Sequence, residues 1–292
     1  VDYMKILLLA LVLVAFTGCV EEENNLDAEE IQLQMMDSMN NVESYKFKIE
    51  LEQYTEFKNF TKEGSVEGIR TWTNLDGAIN LSSVASKEIS EIKDELFSDD
   101  QGLNRTTELE LYVLNDTIYQ KVGADWIKLQ QPDLQYSLDM VDRAKLVLEM
   151  VNRSEIVAVE SDKVNGKSCY KMEMSPDEST SYGFMVGRIS SVSPSYPFMI
   201  NMTELFDNGS EMGWTVWVEK DTNLLVKSQI RTLYTATPDM LNIPITTTNG
   251  AVICFESDET EWFYDYDQKI YISLPEDALN APLLLPPSQG IT

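Results

Sequence analysis

From Ser44 to Glu52 polar and apolar residues alternate one for one. Tyr45, Phe47, Ile49 and Leu51 share one side, and Lys46, Lys48, Glu50 and Glu52 the other. A period of two carried by aromatic and branched residues predicts a half-buried antiparallel strand. Further strands are predicted at 66–73 and 78–85, followed by a long polar connection over 87–105. Leu109, Leu111 and Val113 then alternate with acids, Asn115-Asp116 is a turn signal, and 117–122 and 126–129 return as partner strands. Segments 155–164 and 167–175 flank Asn165-Gly166, and 214–220 and 224–234 flank Asp221-Thr222-Asn223, so each pair predicts a hairpin. Late strands are expected at 252–255 and 262–274, and a short turn or helix at 275–278.

Three stretches have helical spacing instead. Ile31, Leu33, Met35, Met36, Met39 and Val42 predict an amphipathic helix over 28–42 with Asp27 as N-cap. Leu138, Val141, Ala144, Leu148 and Val151 predict a second over 136–151, with Ser137 as cap. A third is expected at 179–192, ended by Pro194 and Pro197. Strands and helices do not alternate regularly and no solenoid period is present, which points to an α+β class with an antiparallel sheet.

The start of the chain has a different character. Lys5 precedes an unbroken apolar run over 6–16, then small Thr17 and Gly18, then Cys19. A charged start, an apolar centre and small residues before a cut form the layout of a secretory signal. The run gives about 16 Å of helix, against the ~30 Å a bilayer core demands. Phe16-Thr17-Gly18-Cys19 resembles a lipobox, which implies lipid attachment at Cys19 and cleavage before it. The expected layout is a signal peptide at 1–18, a flexible acidic tether at 19–27, one domain at 28–281 and a proline-rich tail at 282–292. The mature chain is then extracytoplasmic, held to the outer face of the cell membrane through the lipid on Cys19.

Charge narrows the partners. There are 49 acids against 22 bases, a net charge of −27. Such a surface repels phosphate backbones, so nucleic acid is excluded as a partner, and a covalent lipid is a more credible membrane attachment than electrostatic docking. Histidine is absent, which removes Ser-His-Asp and Cys-His catalysis and the usual zinc sites. No metal or cofactor is expected. Asn-x-Ser/Thr sequons at Asn59, Asn80, Asn104, Asn115, Asn152, Asn201 and Asn208 are glycosylation candidates, as on an exported surface protein and best matched by an archaeal envelope. With Cys19 assigned to lipid, Cys169 and Cys254 suggest one disulfide, and two unpaired core cysteines are the alternative.

Five strings, in this order, carry a resemblance: VESYKFKIELE from Val42, DTIYQKVGADWIKL from Asp116, VNGKSCYKMEMSP from Val164, GWTVWVEKDTNLLVKSQI from Gly213 and YDYDQKIYISLPEDA from Tyr264. With the preceding lipobox they resemble the LolA/LppX-like lipoprotein group, especially its archaeal extracellular members. That resemblance implies a strongly curved antiparallel sheet, an unclosed half-barrel, covered on its concave face by helices, with lipids or lipid-modified proteins carried in the hollow by several members. Phe47, Leu51, Tyr112, Trp126, Leu138, Met172, Met174 and Trp217 are the candidates to line such a hollow. A lipid on Cys19 fits a tethered acceptor, carrier or scaffold better than a soluble shuttle. Two other readings stand beside the non-catalytic lipid binder. One is a glycosylated envelope scaffold with protein partners and no small ligand. The other is a carboxylate-based hydrolase using Asp258, Glu259, Glu261, Asp265 or Asp267, although Asp265 and Asp267 alternate with tyrosines as on the wet face of a strand.

Overall fold

A computed structural model describes residues 27–59, 66–98, 102–130, 142–181, 183, 211–237 and 250–283. The signal segment, Cys19, the tether up to residue 26, Leu138, Asn201, Asn208, most of the predicted third helix and the tail from residue 284 lie outside the described residues. Eleven strands are described: β1 (Ser44–Lys58), β2 (Val66–Asn80), β3 (Ala85–Ser98), β4 (Leu103–Leu114), β5 (Thr117–Val122), β6 (Asp125–Gln130), β7 (Ser154–Val164), β8 (Lys167–Pro176), β9 (Glu211–Glu219), β10 (Leu225–Ala236) and β11 (Val252–Tyr264). They form one antiparallel sheet in the order β6-β5-β4-β3-β2-β1-β11-β10-β9-β8-β7. Among the described residues the sheet does not close, and β6 and β7 are its two edges. Its middle is the seam between the first strand and the last, with Lys46 opposite Tyr264 at one end and Lys58 opposite Val252 at the other.

Two helices are described over their full length, α1 (Ala28–Asn40) and α2 (Arg143–Val151); residues 178–181 are helical as well, and Glu276–Asn280 form a short 3-10 helix. Ile31, Met35 and Met39 of α1 and Ala144, Val147, Leu148 and Val151 of α2 are buried in one cluster with Tyr45, Phe47, Ile49, Met172, Met174, Trp214 and Phe263 of the sheet. Strand register sorts the rest. Side chains opposite Phe47, Ile49 and Leu51 across each ladder share the helix-packed face, here the inner face, and the residues between them form the outer face. Phe47 lies flat over Gly77 of β2, where an added Cβ would sit 2.1 Å from Phe47 Cζ. Tight turns follow their residues: Asn165 and Gly166 both take positive φ, as a two-residue hairpin of this hand requires.

Several expectations change. The predicted strands at 66–73 and 78–85 are the body of β2 and the turn into β3. The polar stretch 87–105 is no loose connection, since it holds most of β3 and the start of β4. Hydrogen bonds to neighbours on both sides hold β3 in place, so it does not depend on a clean apolar alternation. Of the second predicted helix, residues 136–141 lie outside the described residues, and the described part is helical from Arg143. Asp142 has non-helical dihedrals, and its carboxylate accepts from Lys145 N at 3.1 Å, which starts α2 at Arg143. Asp27 precedes α1 but makes no side-chain cap bond. The expected strand at 262–274 stops at Tyr264, because Asp265 and Asp267 take positive φ. Asp265 pairs with Lys46 at 2.8 Å and Asp267 Oδ1 accepts from Glu43 N at 2.8 Å, so both acids fix a turn and do not line a strand face.

The expected disulfide is absent. Cys169 and Cys254 are both free, on β8 and β11. Strands β9 and β10 stand between them, which separates them by about 14 Å. A bridge tolerates no more than about 7 Å between Cα atoms.

Candidate ligand cavity

The sheet-lining candidates divide between the two faces. Phe47, Met172 and Met174 are on the inner face but fully packed into the main core. Tyr112 and Trp126 are on the outer face, their rings tilted against each other with centroids 5.8 Å apart, and they are buried in one cluster with Ala278 and Ala281 of the C-terminal segment. Trp217 is also on the outer face, beside Val164, Cys169 and Val226, and its indole N–H donates to Asp162 at 2.8 Å. Only Leu51, among the described candidates, lines a cavity on the inner face.

That cavity holds about 560 Å³, within the roughly 300–1,000 Å³ range of small-molecule sites. Its floor comes from four adjacent strands: Ile49, Leu51 and Gln53 of β1, Ile69, Thr71, Thr73 and Leu75 of β2, Ile92, Asp94 and Leu96 of β3, and Leu103 and Arg105 of β4. Glu259 of β11 and Arg143, the first residue of α2, complete the wall.

The ladder registers arrange these residues in rows that cross the sheet. One row runs Thr232–Ser257–Gln53–Thr71–Asp94–Arg105 and is polar throughout. On one side of it lies Ile230–Glu259–Leu51–Thr73–Ile92, and on the other Tyr234–Phe255–Thr55–Ile69–Leu96–Leu103. Buried polar groups need partners, and most of this band has them. Thr232 and Ser257 share a hydroxyl–hydroxyl bond of 2.6 Å, and Thr71 Oγ1 donates to Asp94 Oδ1 at 2.8 Å. Gln53 stands between the two pairs, only 8% exposed, and its Nε2 makes no hydrogen bond. Arg143 Nε is likewise buried without a hydrogen-bond acceptor.

Next to the cavity, Glu88 of β3 faces inward opposite Gly77. Burial pushes its carboxyl above the ordinary range, Arg143 pulls it back, and Glu261 raises it further. Glu259 and Glu261 are themselves 3% and 5% exposed, while Asp258 turns to the other face. The acids read as a hydrolase cluster are therefore split across the sheet. Among the described residues no group of histidine, cysteine, aspartate and glutamate side chains could hold a metal ion.

The sequence pattern does not single out Gln53, Arg105 or Arg143, and it offers Glu259 and Glu261 only as hydrolase acids, not as inward-facing residues beside a cavity. A signal existed for three of them: positions 53, 259 and 261 continue the inward register of Ile49 and Leu51 and their partners, yet are polar. The sequons behave as surface positions where they are described. Asn104, Asn115 and Asn152 are exposed, Asn59 is exposed with its amide on Gly250 O at 2.8 Å, and Asn80 is half-buried with its amide on Ile270 O at 3.1 Å.

No protein-family model matches the chain, and no curated protein matches it. Among solved structures it is similar to LprF from Mycobacterium bovis, at 13% identity over 85% of this chain and 98% of that one, with a TM-score of 0.37. It is also similar to a DUF1329 family protein from Desulfovibrio piger ATCC 29098, at 11% identity over 82% of this chain and 92% of that one, with a TM-score of 0.24.

Proposed function

We propose that the chain is an extracytoplasmic lipoprotein of the LolA/LppX-like kind, anchored through a lipid on Cys19, that holds a lipid or another apolar ligand without transforming it. In this reading the sheet is a bent half-barrel, α1 and α2 roof part of its hollow, and the ligand occupies the part they leave open. The observation that carries it is the 560 Å³ cavity on the inner face, floored by Ile49, Leu51, Ile69, Leu75, Ile92, Leu96 and Leu103. Each buried methylene contributes about 0.8 kcal/mol, so an alkyl chain gains affinity there with few polar contacts. Ordering the chain and the protein offsets part of that gain.

Three measurements test the reading. Native mass spectrometry of chain purified without detergent should record a co-purifying species of lipid mass, and a fluorescent apolar probe should bind at one site per chain. Replacing Leu51 by Glu should abolish probe binding, and a probe that binds this variant as well as the parent would sink the cavity assignment. Cys19→Ser should move the chain from the membrane fraction to the soluble one.

A scaffold without a small ligand is the second reading. It is favoured by the closed packing of Phe47, Met172 and Met174 and by the exposure of the sequons at Asn104, Asn115 and Asn152. It would prevail if crosslinking on intact cells recovered stoichiometric envelope proteins while no probe entered the chain.

A further inference from the structure

The polar row through the cavity has a gap at its centre. Thr232 and Ser257 satisfy each other on one side, and Thr71 and Asp94 do so on the other. Gln53 lies between them, lines the cavity, is more than nine-tenths buried and has an amide nitrogen without an acceptor. A second donor with no acceptor, Arg143 Nε, comes to the same cavity from the start of α2. Buried donors are rarely left unmade, because the loss of their water is then uncompensated.

We propose that Gln53 selects the ligand: the cavity takes an uncharged lipid with an ester- or ether-type oxygen part-way along it, and this oxygen accepts from Gln53 Nε2, which a turn of the side-chain amide brings from its buried position to the cavity surface. The proposal rests on the reading of the cavity as a lipid site and goes beyond it by assigning a specificity residue. Position along the ligand follows from the rows. Leu51 and Ile92 flank the polar band on one side, and Ile69, Leu96 and Leu103 on the other, so apolar segments extend both ways from the oxygen. The ligand's charge follows from the wall. Asp94 and Glu259 line the cavity together with Arg105 and Arg143, and Glu88 and Glu261 lie beside it, so the two guanidiniums are already matched by carboxylates. A carboxylate or phosphate would leave an uncompensated anion in a chain of net charge −27.

The test is competition for a bound neutral fluorescent dye, Nile red, by hexadecane, methyl palmitate and palmitate. It is run on the full chain, on Gln53→Met, which keeps the length of the side chain, and on Gln53→Leu. In the parent chain methyl palmitate should displace the dye at about tenfold lower concentration than hexadecane, with palmitate weaker than the ester. In both variants the advantage of the ester over hexadecane should vanish while hexadecane competes as before or better. The comparison on the parent chain stands even if a variant fails to fold. Equal competition by ester and alkane in the parent, or an ester preference that survives in both variants, would overturn the role of Gln53 and leave the cavity reading intact. Tightest competition by palmitate would overturn the uncharged ligand. A parent chain that binds neither the dye nor any competitor would overturn the cavity reading and this one together.

Discussion

The phenol of Tyr45 donates to Asp142 Oδ1 across 2.6 Å and at the same time accepts from Ala144 N at 3.0 Å. One side chain from the centre of the sheet thus caps the start of α2, a helix that meets β1 from 97 residues further along the chain. The burial of the pair and the nearby carboxylate push the Tyr45 phenol well above its ordinary pKa, so it stays a donor at any physiological pH.

Tyr45→Phe should therefore destabilise the fold by about 1–3 kcal/mol, since it leaves a buried carboxylate and a helix N–H without their shared partner. Urea unfolding checks this. In a double-mutant cycle with Asp142→Asn the two losses should be strongly non-additive, and independent losses would show that the contact does not couple sheet to helix.

Phe47 and Gly77 provide a steric prediction. With a Cβ at position 77 only 2.1 Å from the ring, Gly77→Ala should cost about 1–3 kcal/mol by forcing the ring from its rotamer. Adding Phe47→Leu should recover part of the loss. A single alanine variant that melts at the parent temperature would mean the ring has room to move.

Glu88 gives the chain a pH signature. Its folded-state pKa is raised by burial, so its neutral form is the one the fold prefers. The corresponding stability is present below the ordinary glutamate value and is lost as pH rises through the raised one. Glu88→Gln should raise the melting temperature at pH 7 and change it much less at pH 4. An equal change at both would remove Glu88 as the source.

The two free thiols should differ. Cys254 is half-buried on β11, whereas Cys169 is fully buried and burial pushes its thiol pKa up. Alkylation of the folded chain followed by peptide mapping should label Cys254 and spare Cys169 until denaturant is added. A peptide pair joined through Cys169 and Cys254 in an unreduced digest would contradict the strand order.

The alternating strands and the type of sheet were legible because Tyr45, Phe47, Ile49 and Leu51 repeat with the pleat and because Asn165-Gly166 and Asp221-Thr222-Asn223 carry their turns on the surface of the sequence. β3 was not, since Ile89 and Ile92 break the alternation and its place is set by two neighbours far from it in pattern. The site was less legible still. Tyr112, Trp126 and Trp217 carry the right chemistry for a hollow, but their parity places them on the other face, a fact that only ladder register supplies. Gln53 looks like an ordinary surface residue, and Glu259 like one acid in a run of acids, until β1 and β11 are set side by side.

The seam between β1 and β11 also fixes when the sheet can be completed. The partner of Lys46 is Tyr264, so the first strand made waits for nearly the whole chain before its second edge is covered. A chain cut short before Val252 would expose the long edges of β1 and β10 at the heart of the protein, where strands of other copies can dock. Its two strand meanders would be joined by no ladder at all, and premature termination would yield aggregates in place of a smaller working fragment.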